Sequence, residues 1–137
     1  MSTDWIPADW PAPDGIVAGT ALRTGSLASL ELPGEPCWLN QVHGANVVTA
    51  GRYDTPPDAD ACIGQQPGDV CVVKTADCLP LLMCAAEGGE SAAAHAGWRG
   101  LVAGIVEATV AAMAAAPGDL LVWMGPAISQ PSFEVGD

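Results

Sequence analysis

Basic residues are scarce. Arg23, Arg52, Lys74 and Arg99 stand against sixteen acids, giving a net charge of −12 over 137 residues. Phosphate backbones and anionic membrane surfaces are recognised through clustered Lys and Arg, so neither nucleic acid nor a membrane is an expected partner. A small anion can still be held where one of the four cations is well placed. Phe and Tyr occur once each, which leaves small and branched side chains, with five Trp, to fill the interior. Residues 1–10 have no positive n-region followed by an apolar run, so no secretory signal is read there. The longest weakly polar run, 101–116, is interrupted by Glu107 and suits a packed helix better than a membrane span. The expected location is cytoplasmic. Cysteines number five, odd and without the density of a disulfide scaffold, and are expected as reduced thiols.

The chain has the length of one domain and no internal repeat. Prolines at 7, 11 and 13 and the Asp14-Gly15 pair make residues 1–15 an irregular lead-in, with a strand beginning at 16–18. Segments 70–74, 79–85 and 91–95 are short, aliphatic and apolar on both sides, the pattern of strands buried on both faces. Gly88-Gly89 makes a tight connection between the last two. Leu101, Val102, Ile105, Val106, Thr109 and Met113 recur at helical spacing, predicting a helix over 100–116 that Pro117-Gly118 stops. Residues 120–124 form a further buried strand, so 92–124 is a strand–helix–strand crossover. The fold class is α/β, with α and β mixed.

Only two histidines exist in the chain, and each adjoins small residues at the edge of an apolar segment: His43 in Asn-Gln-Val-His-Gly and His95 in Ala-His-Ala-Gly-Trp-Arg-Gly. Taken singly, such a histidine is ordinarily a hydrogen-bonded residue at a turn. Cys78 changes the weighting, because it lies at a polar break between two apolar strands, in Thr-Ala-Asp-Cys-Leu-Pro. Cys71 and Cys84 are expected to be inert core thiols, and Cys37 and Cys62 to lie at loop edges. Two imidazoles and a thiolate converging on one ion leave a fourth tetrahedral position open, a catalytic ligand count for zinc. Copper is the alternative ion, with Met83 or Met124 as an axial ligand. A metal-free cysteine hydrolase, with Cys78 as nucleophile and His95 as base, uses the same side chains. Arg99, beside His95 at the start of the helix, is placed to hold an anion. Lys74 either serves similarly or extends its charge to water from a strand end.

Four segments in order, Trp38-Leu39-Asn40-Gln41-Val42-His43-Gly44, Thr75-Ala76-Asp77-Cys78-Leu79-Pro80, Ala93-Ala94-His95-Ala96-Gly97-Trp98-Arg99-Gly100, and Gly125-Pro126-Ala127-Ile128 with Phe133-Glu134-Val135, resemble the motifs of the polyphenol oxidase, or laccase-domain, family associated with purine nucleoside phosphorylase activity. The resemblance implies a zinc site at His43, Cys78 and His95. It also implies phosphorolysis of adenosine, inosine, guanosine and methylthioadenosine, together with adenosine deamination; copper-dependent oxidation of phenols is the alternative activity that the family name carries. The partners are then purine nucleosides and phosphate, and Arg23, Gln41, Lys74 and Arg99 are the expected substrate-binding positions. The implied fold is a layered sandwich of mixed β-sheets flanked by helices. Against the family pattern the chain is shorter between Leu32 and Pro36 and stops at Asp137, where the family continues. Residues 1–137 are therefore expected to be the N-terminal portion of a single domain, with an incomplete sheet.

Overall fold

The structure, a computed structural model, describes residues 5–21, 32–75 and 79–125. Its centre is a hairpin of β7 (Leu79–Ala85) and β8 (Ser91–Ala96). The connection carries Gly88 and Gly89, both at positive φ, the backbone region a tight turn needs and other residues avoid. Both strands are almost entirely buried, as their unbroken apolar character predicts. Around them β4 (Val47–Thr49), β5 (Ala61–Gly64) and β9 (Leu120–Met124) complete a mixed five-stranded sheet in the order β4-β5-β8-β7-β9, with β4 and β5 parallel. Two-stranded sheets are formed by β1 (Trp5–Pro7) with β2 (Gly19–Ala21), and by β3 (Pro36–Cys37) with β6 (Val70–Cys71).

Register sorts the side chains of the large sheet onto two faces. Ala61, Ala92, Ala94, Ala96, Leu81 and Met83 share one face, where Ile105 and Met113 of the helical layer cover them. Cys62, Ala93 and His95 point the other way. Cys62 there joins Cys37, Leu39 and Ala59, so the small β3–β6 sheet covers part of that side. The alanine-rich β8 lets both layers approach closely. The α/β class and the layering of mixed sheets with helices thus agree with expectation.

The helical segment differs in detail. It begins at Trp98, not Gly100, and divides at Gly104 into α1 (Trp98–Ala103) and α2 (Ile105–Ala112). Gly104 has φ 94°, a left-handed residue that ends one helix and redirects the chain. Leu101 and Val102 are consequently exposed, and the buried stripe is Ile105, Thr109 and Met113. Helix α2 closes at Ala112, before Pro117, which instead opens a 3-10 turn over Pro117–Asp119. The crossover exists with β8 and β9 both antiparallel to β7, hence parallel to one another with β7 between them.

Other sequence expectations are corrected. The lead-in contains β1, and the strand expected at 16–18 starts at Gly19. The ladder expected over 70–74 covers only Val70–Cys71. Strand β9 is buried on one side at most, since Val122 and Met124 are exposed. Cys37 and Cys62 are buried strand residues, not loop-edge thiols. The hydrogen-bonded Cys71 thiol and burial both push Cys62 far up, so it is inert as a nucleophile. Cys84 is buried as expected and Cys71 half-buried.

Candidate metal centre

The pairing of Ala61 with Ala94 places the preceding residue, Asp60, opposite His95. The His95 backbone N–H donates to the Asp60 carbonyl at 2.7 Å, extending the ladder by one step. Directly paired residues share a face. Their side chains therefore meet: His95 Nδ1 lies 2.7 Å from Asp60 Oδ2, with both side chains almost fully buried.

Asp60 also holds the His43 loop. Backbone N–H groups of Val42 and Gly44 donate to Oδ1, and that of His43 to Oδ2, each at 3.0 Å. Burial opposes ionisation of this carboxyl, but the His95 ring and the three N–H donors outweigh it and hold Asp60 below the ordinary aspartate range. The loop bends sharply, with His43 at φ 60°, a left-handed conformation in a residue with a Cβ. Its ring consequently reaches back to His95. The two imidazole centroids are 4.9 Å apart at an interplanar angle of 74°. Gly100 lies against the carbonyl oxygens of Gly44 and His95, where an added Cβ would sit 3.4 and 3.5 Å from them. The first turn of α1 is thereby packed against both histidine-bearing segments.

Two imidazoles at this spacing, one with its Nδ1 held by a carboxylate, fit a metal of the zinc or copper type. Residues 76–78 lie outside the described residues, and so does Arg23. Among the described residues no group of three metal-binding side chains occurs, and the third expected ligand, Cys78, is not among them. The methionines considered for copper do not face the histidines. Met83 and Met124 pair with Ala92 and Leu81, on the helix-covered face opposite His95.

Gln41 is placed close to this centre in the chain, and both ends of its amide are engaged. Its Nε2 donates to the Lys74 carbonyl at 2.7 Å, and its Oε1 accepts the Lys74 N–H at 2.7 Å. A side-chain amide here imitates a strand partner and joins the His43 loop to the segment that enters Cys78. The Lys74 ammonium sits 4.8 Å over the Trp38 ring, a cation–π contact on an exposed surface. Arg99 is exposed, its guanidinium 5.3 Å over the neighbouring Trp98 ring. Sequence reasoning missed Asp60 altogether. An aspartate one residue before a strand reads as a loop residue, and only the register against β8 reveals its partner.

The sequence profile described as multi-copper polyphenol oxidoreductase laccase matches residues 18–137. The purine nucleoside phosphorylase YfiH of Escherichia coli strain K12 is 40% identical over 96% of this chain and 66% of its own length. A purine nucleoside phosphorylase of Pseudomonas aeruginosa is 41% identical over 96% of this chain and 65% of its own. The chain thus spans a little under two thirds of these curated relatives. Among solved structures, Neisseria meningitidis protein NMB0706 superposes with a TM-score of 0.88 at 36% identity, covering 98% of this chain and 67% of that one. YlmD from Geobacillus stearothermophilus gives 0.64 at 30% identity over 70% of this chain and 41% of its own.

Proposed function

This chain belongs to the multi-copper polyphenol oxidoreductase laccase family, and from that premise we propose that it acts in a zinc-dependent purine nucleoside phosphorylase. The single observation that carries the reading is the approach of His43 and His95 to 4.9 Å. The names of the relatives from Escherichia coli and Pseudomonas aeruginosa support the reaction class. The zinc ligands are His43, His95 and Cys78, and the substrates are adenosine, inosine, guanosine and methylthioadenosine, with deamination of adenosine as a second activity.

Zinc bound there would polarise a substrate oxygen or acidify a bound water. In phosphorolysis a phosphate oxygen bonds to the anomeric carbon while the glycosidic C–N bond breaks, and the departing purine nitrogen takes a proton. In deamination water replaces the exocyclic amine, giving inosine and ammonia. Arg99 is the proposed contact for phosphate, on the first turn of α1 that packs against both histidine segments. Arg23 and Lys74 remain further substrate contacts in this reading. Gln41 contributes by tying the backbone of Lys74 to the His43 loop.

Incubation with adenosine, with and without phosphate, tests the proposal. Adenine and ribose 1-phosphate formed only with phosphate support phosphorolysis; product formation indifferent to phosphate contradicts it. Arg99→Ala should raise the KM for phosphate far more than that for deamination, and equal effects would remove Arg99 from the phosphate site. The Asp60–His95 pair also favours a second reading, since a carboxylate orienting an imidazole is the arrangement a cysteine hydrolase needs. Full activity after chelation would select that reading.

A further inference from the structure

We infer that Asp60 is the positioning residue of this centre: it fixes His95 as the Nδ1–H tautomer, so that Nε2 carries the lone pair, while the same carboxylate sets the His43 backbone. The inference rests on the metal reading of His43 and His95 and names what makes those side chains competent.

The acceptor count carries the argument. A carboxylate has about four lone-pair sites. Here each oxygen takes two donors: Val42 N–H and Gly44 N–H on Oδ1, His43 N–H and His95 Nδ1 on Oδ2. Three of these four are backbone N–H groups, which can only donate. With Asp60 fully buried, a proton on the carboxyl could face only His95 Nδ1, and the three backbone donors stabilise the charged carboxylate against taking it. The group therefore acts as an acceptor throughout, and the hydrogen between Asp60 and His95 belongs to Nδ1. A neutral imidazole with its proton on Nδ1 offers Nε2 to a metal or, without one, to a proton. The same four bonds bring residues 42–44, 60 and 95 to one point, although 17 and 35 positions separate His43 and His95 from Asp60 in the chain. Without this anchor, His43 would have no evident reason to keep its left-handed backbone.

Two measurements on the whole chain test this. In the metal-free wild type at about pH 8, where imidazole is ordinarily neutral, long-range proton–nitrogen NMR should find His95 protonated at Nδ1 and bare at Nε2. An Nε2–H tautomer overturns the inference, and this arm needs no variant to fold. The second arm is zinc titration of Asp60→Asn, whose amide N–H₂ must face existing donors. Zinc affinity should fall by about 10–100-fold, with the far-ultraviolet circular dichroism of the wild type and a changed His95 tautomer signal. Wild-type affinity with an unchanged tautomer overturns the inference. If the wild type shows the Nδ1–H tautomer but takes up no zinc, the metal reading fails and the control of the His95 tautomer by Asp60 stands.

Discussion

His43 adopts φ 60°, a conformation that costs an ordinary L-residue about 1–2 kcal/mol. Replacing it separates the backbone from the ring. His43→Gly removes the ligand and the strain together, whereas His43→Ala removes only the ligand. Urea denaturation should therefore find His43→Gly more stable than His43→Ala by about 1 kcal/mol; equal stabilities would show that the Asp60 anchor does not hold the loop under strain. At this scale the sequence was partly legible. Both histidines were singled out by rarity and by their apolar-edge positions, and they do meet. Asp60 was invisible because its role depends on a cross-strand register, and Asp58 two residues away offers the same local pattern. Gln41 was assigned to substrate, and its carboxamide is engaged with the Lys74 backbone, a contact between residues 33 positions apart in the chain that no spacing rule reveals.

At the scale of elements, turn chemistry was more legible than helix length. Gly88-Gly89 makes the hairpin, as read. The apolar spacing runs straight through Gly104, yet its φ of 94° divides the helix. Nothing crowds a methyl group there, the nearest atom being 4.0 Å away, so Gly104→Ala isolates the backbone cost. It should lower stability by about 1–2 kcal/mol in thermal or urea unfolding. No loss would mean that the two helices join in another way.

Glu90 fastens the end of α2 to the start of β8. Its carboxylate accepts the N–H groups of Ala114 and Ala115 and the side-chain amide of Gln65, at 2.6, 3.0 and 2.7 Å. Burial raises its pKa, but these donors outweigh that and leave it below the ordinary glutamate range. A depressed folded-state value gives stability that is complete above the unfolded glutamate range and lost as pH falls through the folded value. Glu90→Gln should cost about 1–3 kcal/mol at neutral pH and should flatten the acid limb of the stability curve. An unchanged limb would assign acid sensitivity to other carboxylates.

For the whole molecule, the layers decide which chemistry is available. Helices cover one face of the large sheet and the β3–β6 sheet covers part of the other, with His95 at the end of β8 on that second side. The face assignment also moves Met83 and Met124 away from the histidines, which removes the axial ligand expected for an oxidising copper centre. The net charge of −12 leaves an anionic substrate dependent on local cations. Among the described residues, no helix is long and apolar enough to cross a membrane. The class of fold was readable because strands buried on both faces announce themselves as apolar runs; the order of the strands was not, since register and adjacency emerge only when the layers pack.

One zinc ion gripped by His43, His95 and Cys78 is the proposed centre of this protein. X-ray absorption at the zinc edge of freshly purified protein tests it most directly. The expected shell contains one sulfur at about 2.3 Å and two imidazole nitrogens at about 2.0–2.1 Å, with the sulfur contribution lost in Cys78→Ser. A shell of oxygen and nitrogen alone in the wild type, or protein that retains no zinc, would contradict it.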